Sequence, residues 1–221
     1  MIPTPRLSHL SADEFDLVYE PAEDTFLLLD ALEQDAEELK ALIPSICLEI
    51  GSGSGCVSAF IGQIMGSSST LYLCTDINPH ACKCTYRTGI ENKIPLNSIN
   101  TSFALPFHSR LAHVIDVILF NPPYVPTISS EATQAQDVGG IAGSWAGGSD
   151  GMQVTNRFLD MVDDLLSPRG RFYLVAVMEN NIPEIQRRMF DTYGLESTVV
   201  LSRRAGREHL SVIRFARIDK S

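Results

Sequence analysis

No stretch of this sequence is apolar for long enough to cross a bilayer. The longest run, Phe172 to Met178, falls far short of the roughly 20 residues a spanning helix needs. The first residues carry no charged-then-apolar leader, so a secretory signal is not expected. Cysteine is sparse and odd in number, five in 221 residues without paired spacing, which disfavours a disulfide framework and favours a reducing compartment. The cytosol is the simple expectation, with the nucleus as a second location. Cations are in deficit too: 17 Lys and Arg against 27 Asp and Glu leave a net charge of −10. Enzymes that grip a duplex draw most of their non-specific affinity from phosphate neutralisation. Here the nearest basic cluster is Arg203-Arg204-Ala205-Gly206-Arg207, in an expected hairpin turn. Overall acidity can hide a local basic groove, but nucleic acid is disfavoured and a basic protein substrate suits the surface better. There is one tryptophan, Trp145, and no internal repeat. The remainder is ordinary for a globular protein, with 44% hydrophobic and 20% charged residues over a length that suits one well-packed domain.

Residues 1–17 are polar and lack periodicity, and are expected to form a flexible N-terminal arm. Residues 18–221 are then a single domain. Pro21 is placed to open a helix, with Glu23 and Asp24 in its first turn where the helix dipole favours acids. Leu28, Leu32, Ala36 and Leu39 recur on one face of it. Strands are expected near 46–50, 71–75, 98–103, 115–120 and 171–177, with helices near 56–65, 79–92, 153–166 and 183–192. Two further strands, near 195–201 and 209–216, close the chain as a hairpin around Gly206. This alternation implies a mostly parallel sheet with helices on both faces. Residues 125–150 have neither period, hold five glycines and carry Trp145. So long a loop in a compact domain is functional or disordered; it is expected to hang over the reacting centre, with Trp145 as a substrate contact or a simple anchor.

Two motifs carry chemistry. Directly after the apolar strand Ile115–Phe120 comes Asn121-Pro122-Pro123-Tyr124. The prolines cannot join a sheet ladder and force a stiff, extended exit, holding a polar amide at the carboxyl end of a core strand, where open α/β sheets bind ligands. The Asn121 side-chain oxygen and the Pro122 carbonyl are acceptors, and Tyr124 offers a flat face, which together suit a planar NH2 group. The bland alternative is a proline turn. The second motif is Leu48-Glu49-Ile50-Gly51-Ser52-Gly53-Ser54-Gly55, an apolar strand ending in an acid and a glycine loop that leads into a helix. Its spacing is Gly-x-Gly-x-Gly, not the Gly-x-Gly-x-x-Gly of a dinucleotide pyrophosphate site. Glu49 would repel a pyrophosphate and attract an ammonium group. The next strand ends at Asp76, about 20 residues beyond the loop, where an acid suits a pair of ribose hydroxyls. An amino-acid end, a ribose and no phosphate describe S-adenosylmethionine.

The chain resembles the HemK-type glutamine methyltransferases, class I S-adenosylmethionine-dependent enzymes, and within them the eukaryotic branch that methylates the class-1 translation release factor. The resemblance rests on Tyr19-Glu20-Pro21-Ala22-Glu23-Asp24-Thr25, Leu48 to Gly55, Cys74-Thr75-Asp76-Ile77-Asn78-Pro79, Phe120 to Tyr124, Trp145-Ala146-Gly147-Gly148 and Leu165 to Gly170, and runs from about Val18 onward. It implies a Rossmann-like sheet of seven strands with the last antiparallel. It implies cofactor contacts from Thr25, Glu49, Gly51, Gly53, Asp76 and Asn121, and substrate contacts from Asn121, Pro122, Pro123, Tyr124 and Trp145. Asn121, Pro122 and Tyr124 are the expected catalytic residues. The target is the glutamine of a Gly-Gly-Gln motif, in the release factor alone or with its GTPase partner factor. A histone-tail lysine, DNA adenine, or a non-catalytic cofactor-binding role are the alternatives. The resemblance also implies a small zinc-binding activator protein as partner, with the weak third strand as the edge it joins.

One departure stands out. The family places an acid at the end of the third strand, against the adenine amino group, and here Ser102 falls there, followed by Phe103, with Asn100 the candidate if the alignment shifts. A serine accepts that bond without charge assistance, so it is weaker. Cys82-Lys83-Cys84 near His80 lack a second ligand pair and no metal site is expected.

Overall fold

A computed structural model describes residues 1–125, 140–144, 147–148 and 151–217. In chain order these form α1 (Ala12–Phe15), α2 (Glu23–Gln34), α3 (Ala36–Leu42), β1 (Ile46–Ile50), α4 (Cys56–Met65), β2 (Leu71–Asp76), α5 (Pro79–Asn92), β3 (Leu96–Asn100), β4 (Ile115–Phe120), α6 (Gln153–Leu165), β5 (Leu166–Val177), α7 (Ile182–Tyr193), β6 (Leu195–Ala205) and β7 (Glu208–Arg217). The strands make one sheet in the order β3-β2-β1-β4-β5-β7-β6. Pairing is parallel from β3 through to β5, while β7 runs antiparallel to both β5 and β6. This is the expected class I methyltransferase architecture.

Parallel strands need crossovers, and the crossover helices cover both faces. The period of two in the strands sorts the core accordingly. Cys47 of β1, Val117 and Leu119 of β4 and Val175 of β5 pack with Leu28, Leu32, Phe60 and Ile61 of α2 and α4. Leu48, Ile50, Ile118 and Leu174 face Phe158, Leu159 and Met189 of α6 and α7. On that second face Phe103, Phe120, Phe158, Phe172 and Phe215 form a chain of ring contacts with centroids 5.0–6.4 Å apart. Its upper members, Phe103 and Phe120, are floor residues of the cleft described below.

Some boundaries differ from the sequence expectation. β3 runs from Leu96 to Asn100 instead of 98–103, because the Asn100 side-chain amide donates to the Asp76 and Ile77 carbonyls at 2.9 Å and Phe103 takes a left-handed φ of 49°. Pro21 does not open the helix; Ala22 is the extended N-cap and Glu23 the first helical residue. The apolar helical face continues past Asp35, but the helix breaks there into α2 and α3, and the Asp35 carboxylate is taken by the Tyr173 hydroxyl and Arg214, each at 2.8 Å. β5 begins at Leu166, paired with Ile115 across a register shift. The stretch read as a flexible arm is laid along α5. Leu10 packs with Val18, Ala81 and Cys84, the Arg6 amide donates to Asn92 Oδ1 at 2.8 Å, and Arg87 pairs with Glu14.

Candidate active site

The carboxyl ends of β1, β2 and β4 lie side by side, so the segments that leave them wall a common cleft. Thr25, Glu49, Gly51, Gly53, Asp76, Ser102, Phe103, Asn121, Pro122 and Pro123 all line it.

On one side stands the glycine loop. Gly51, Gly53 and Gly55 have φ of +69°, +51° and +79°, left-handed values that cost a residue with a Cβ. At Gly51 and Gly53 the added Cβ would meet nothing within 4 Å, so backbone conformation alone demands glycine; at Gly55 it would also lie 2.8 Å from the Thr85 Cα. The loop is held by Gly51 N–H donating to the Thr75 carbonyl at 2.8 Å and by the Thr85 hydroxyl donating to the Gly53 carbonyl at 3.1 Å. Asp76 joins it to β2: one carboxylate oxygen accepts from Gly53 N–H at 2.9 Å and the other from Asn78 N–H at 2.8 Å. Burial raises the Asp76 carboxyl while these backbone donors oppose the rise. Glu49 is buried at the end of β1 and accepts from the Ser58 hydroxyl. Burial pushes its carboxyl up to about 8, against the opposing Ser58 bond and with the Asp76 charge adding to the rise. This wall therefore holds a carboxyl group short of partners, placed to gain from a cation.

The facing side is built differently. Asp24, buried in the first turn of α2, accepts from groups of four residues, Thr25 giving both its N–H and its hydroxyl. Thr25 N–H donates to Oδ1 at 2.6 Å, the Tyr19 hydroxyl reaches both oxygens at 3.2 Å, and Asn121 Nδ2 and the Tyr124 hydroxyl reach Oδ2 at 3.1 and 3.0 Å. Burial first, and the Asp24 charge next, raise both tyrosine hydroxyls, so they stay protonated donors. Asn121 Oδ1, in contrast, is buried with no hydrogen-bond partner among the described residues.

Tyr124 has its hydroxyl committed within the fold. It ties the proline segment to Asp24, while Pro122 and Pro123 stand on the cleft wall. Ser102 lies past the end of β3 on the wall, whereas Asn100 is committed to backbone carbonyls. Trp145 lies outside the described residues. Of the long loop, Gly140, Ile141, Gly143 and Ser144 border the cleft, and Gly147 N–H donates to the Val125 carbonyl at 2.9 Å beside the proline segment. Cys84 packs in the small cluster under the N-terminal stretch and Cys82 lies 3.6 Å from the Asp76 carbonyl. Among the described residues no three His, Cys, Asp or Glu side chains converge as a metal set would. Asp24, Tyr19 and Ser58 are the site residues whose roles the sequence did not disclose; Asp24 reads there only as an acid at a helix start.

The sheet order, the antiparallel β7 and a ligand cleft over the β1, β2 and β4 ends together define a class I methyltransferase. No family model matches the chain. It is 50% identical over 216 residues to the human methyltransferase HEMK2, covering 97% of this chain and 96% of that protein. It is 40% identical over 234 residues to mtq2, the eRF1 methyltransferase catalytic subunit of Schizosaccharomyces pombe, covering 100% and 98%. Among solved structures, the E. cuniculi Mtq2–Trm112 complex, responsible for methylation of the eRF1 translation termination factor, superposes with a TM-score of 0.65 at 25% identity, over 91% of this chain and 99% of that one. The chain belongs to the HEMK2/Mtq2 family of methyltransferases.

Proposed function

We propose that this chain transfers a methyl group from S-adenosylmethionine to the side-chain amide nitrogen of a glutamine in a class-1 translation release factor. The observation that carries the reading is the buried Oδ1 of Asn121, unpartnered among the described residues, on a residue that lines the cleft beside two rigid prolines. A buried acceptor left unsatisfied costs roughly 1–3 kcal/mol, and an amide N–H of the substrate would relieve that cost.

The wall residues fit the cofactor. Glu49 offers the carboxyl that a cationic amino-acid end would hold, and Asp76 offers carboxylate oxygens to the ribose hydroxyls. S-adenosylmethionine, when bound, supplies an electrophilic methyl group on a sulfonium. A glutamine amide nitrogen is a weak nucleophile because its lone pair is shared with the carbonyl. Asn121 Oδ1 orients that nitrogen by accepting one of its N–H groups, and offsets the positive charge that grows there. Pro122 and Pro123 keep the acceptor from moving aside, because neither φ can relax.

A small activator protein is the partner this reading includes. The Mtq2 of E. cuniculi was solved with Trm112, and β3 here pairs only with β2 among the described residues, leaving an edge for a further strand.

Transfer of labelled methyl is the test, with the chain co-expressed with such an activator. Release factor, histone and adenine-containing DNA are offered side by side. Label on the release factor that disappears when its Gly-Gly-Gln glutamine is replaced is the expected result. Label confined to histone or DNA overturns the substrate, and label nowhere leaves only a cofactor-binding role.

A further inference from the structure

We propose that Asp24 is a positioning residue that fixes which way round the Asn121 amide stands, and thereby keeps its oxygen turned to the methyl acceptor. The proposal rests on the function above only in requiring an N–H donor as substrate.

A carboxylate has acceptors and nothing to donate, whereas an asparagine amide has an oxygen at one corner and an NH2 group at the other. Whichever corner of Asn121 lies 3.1 Å from Asp24 Oδ2 must therefore be the nitrogen. The flipped amide would set two acceptors in contact and leave the NH2 group where the oxygen now stands without a partner. Flipping would thus lose a charge-assisted bond and gain repulsion. It would also present a donor to a substrate amide that must itself donate, so each turnover would begin from the wrong arrangement.

Asp24 is itself over-determined. Thr25 N–H holds Oδ1 from the first turn of α2, and the Tyr19 and Tyr124 hydroxyls donate to Oδ2 at 3.2 and 3.0 Å. Two stretches of chain, 19–25 and 121–124, therefore meet on one buried carboxylate. Asp24 and Thr25 both line the cleft, so the start of α2 and the Asn121 platform are one unit. The bonds Asp24 makes among the described residues go to Tyr19, Thr25, Asn121 and Tyr124, so its effect on transfer runs through Asn121.

The substitution that isolates this role is Asp24→Asn, which keeps shape and size but lets either corner of residue 24 face Asn121. The expected result is a fall in kcat of about a hundredfold, as for a reacting group displaced by a small distance. The Kd for the cofactor should stay within about threefold, while the KM for the release factor rises by no more than the loss of one hydrogen bond, about tenfold. In an Asn121→Ala background, Asp24→Asn should add less than about threefold, because the two residues act as one. An exchange of the pair separates orientation from mere packing. Asn121→Asp alone opposes two carboxylates, and Asn121→Asp combined with Asp24→Asn restores donor against acceptor; the combined variant should exceed the single one by about tenfold in kcat. An Asp24→Asn enzyme with kcat near wild type, losses that simply add, or an exchanged pair no better than Asn121→Asp would each overturn the proposal. If the Asp24 variants do not fold, hydrogen exchange at the Asn121 side chain of the wild type decides. One protected amide proton is expected, and two freely exchanging protons contradict the proposal. That measurement needs no turnover, so it stands apart from a wild-type enzyme that fails to methylate a release factor, which would overturn the function instead.

Discussion

The two sides of the cleft use buried carboxyl groups in opposite ways. On the β1–β2 side Glu49 is met, among the described residues, only by Ser58, and its carboxyl is pushed up to about 8. It is short of partners and waits for a cation. On the β4 side Asp24 is crowded with donors, and the group left short is the neutral oxygen of Asn121. The difference follows from what each side has to do. Cofactor capture profits from an under-satisfied charge, because the ligand brings the counter-charge with it. Methyl transfer to a neutral amide profits from a fixed neutral acceptor, and the charge behind it serves to hold the acceptor still.

The largest effect expected from breaking this division is at Asn121. Asn121→Ala should lower the rate of transfer by on the order of 3 kcal/mol, about a hundredfold, while cofactor titration stays close to wild type. Next is Glu49→Gln, which keeps a polar group but removes the charge. Cofactor affinity should fall by about tenfold to a hundredfold. Stability should move the other way. Between the ordinary carboxyl value of 4.5 and the folded value of about 8, the unfolded chain has released a proton that the folded chain still holds. Glu49 therefore takes stability away as pH rises through that window. Glu49→Gln should melt higher than wild type, with the gap widening from pH 5 towards pH 8, as thermal denaturation across pH will show. A linked effect sharpens the same point. Cofactor binding near neutral pH should release about one proton from Glu49, seen as a buffer-dependent enthalpy in calorimetry. Tyr124→Phe removes one of several donors to Asp24 and should cost only about 1 kcal/mol in stability or the equivalent in rate. Smallest is Ser102→Asp: a charge-assisted acceptor on the cleft wall should tighten cofactor binding by a few-fold in the same titration.

The contrast between the two sides also explains what could be read from the sequence. The glycine loop and its flanking acids are local. Glu49, Gly51, Gly53 and Asp76 sit at ends of strongly patterned strands, and the parallel pairing of β1 with β2 brings them together without help from elsewhere. The Asn121 motif was legible for the same reason, since a buried strand and two prolines fix where it points. Its orienting partner was not, because the bonds from Asn121 and Tyr124 to Asp24 join residues 97 and 100 positions apart. Helix-start chemistry accounts for an acid at position 24 equally well, so nothing local marks it out. The N-terminal stretch lacks period because it packs through scattered contacts such as Arg6 with Asn92, 86 positions away. β3 was placed two residues late because Leu96-Asn97-Ser98-Ile99-Asn100 alternates weakly, and its end is set by an asparagine side chain bonded to a neighbouring turn.

The division of labour between the two walls is tested most directly by cofactor titration and methyl transfer measured on the same preparations of wild type, Asn121→Ala and Glu49→Gln. The account predicts a crossed result. Asn121→Ala binds cofactor as wild type does and transfers little even at saturation, whereas Glu49→Gln binds weakly and recovers most of its transfer rate once saturated. Two variants that lose binding and transfer together, in the same proportion, would contradict it.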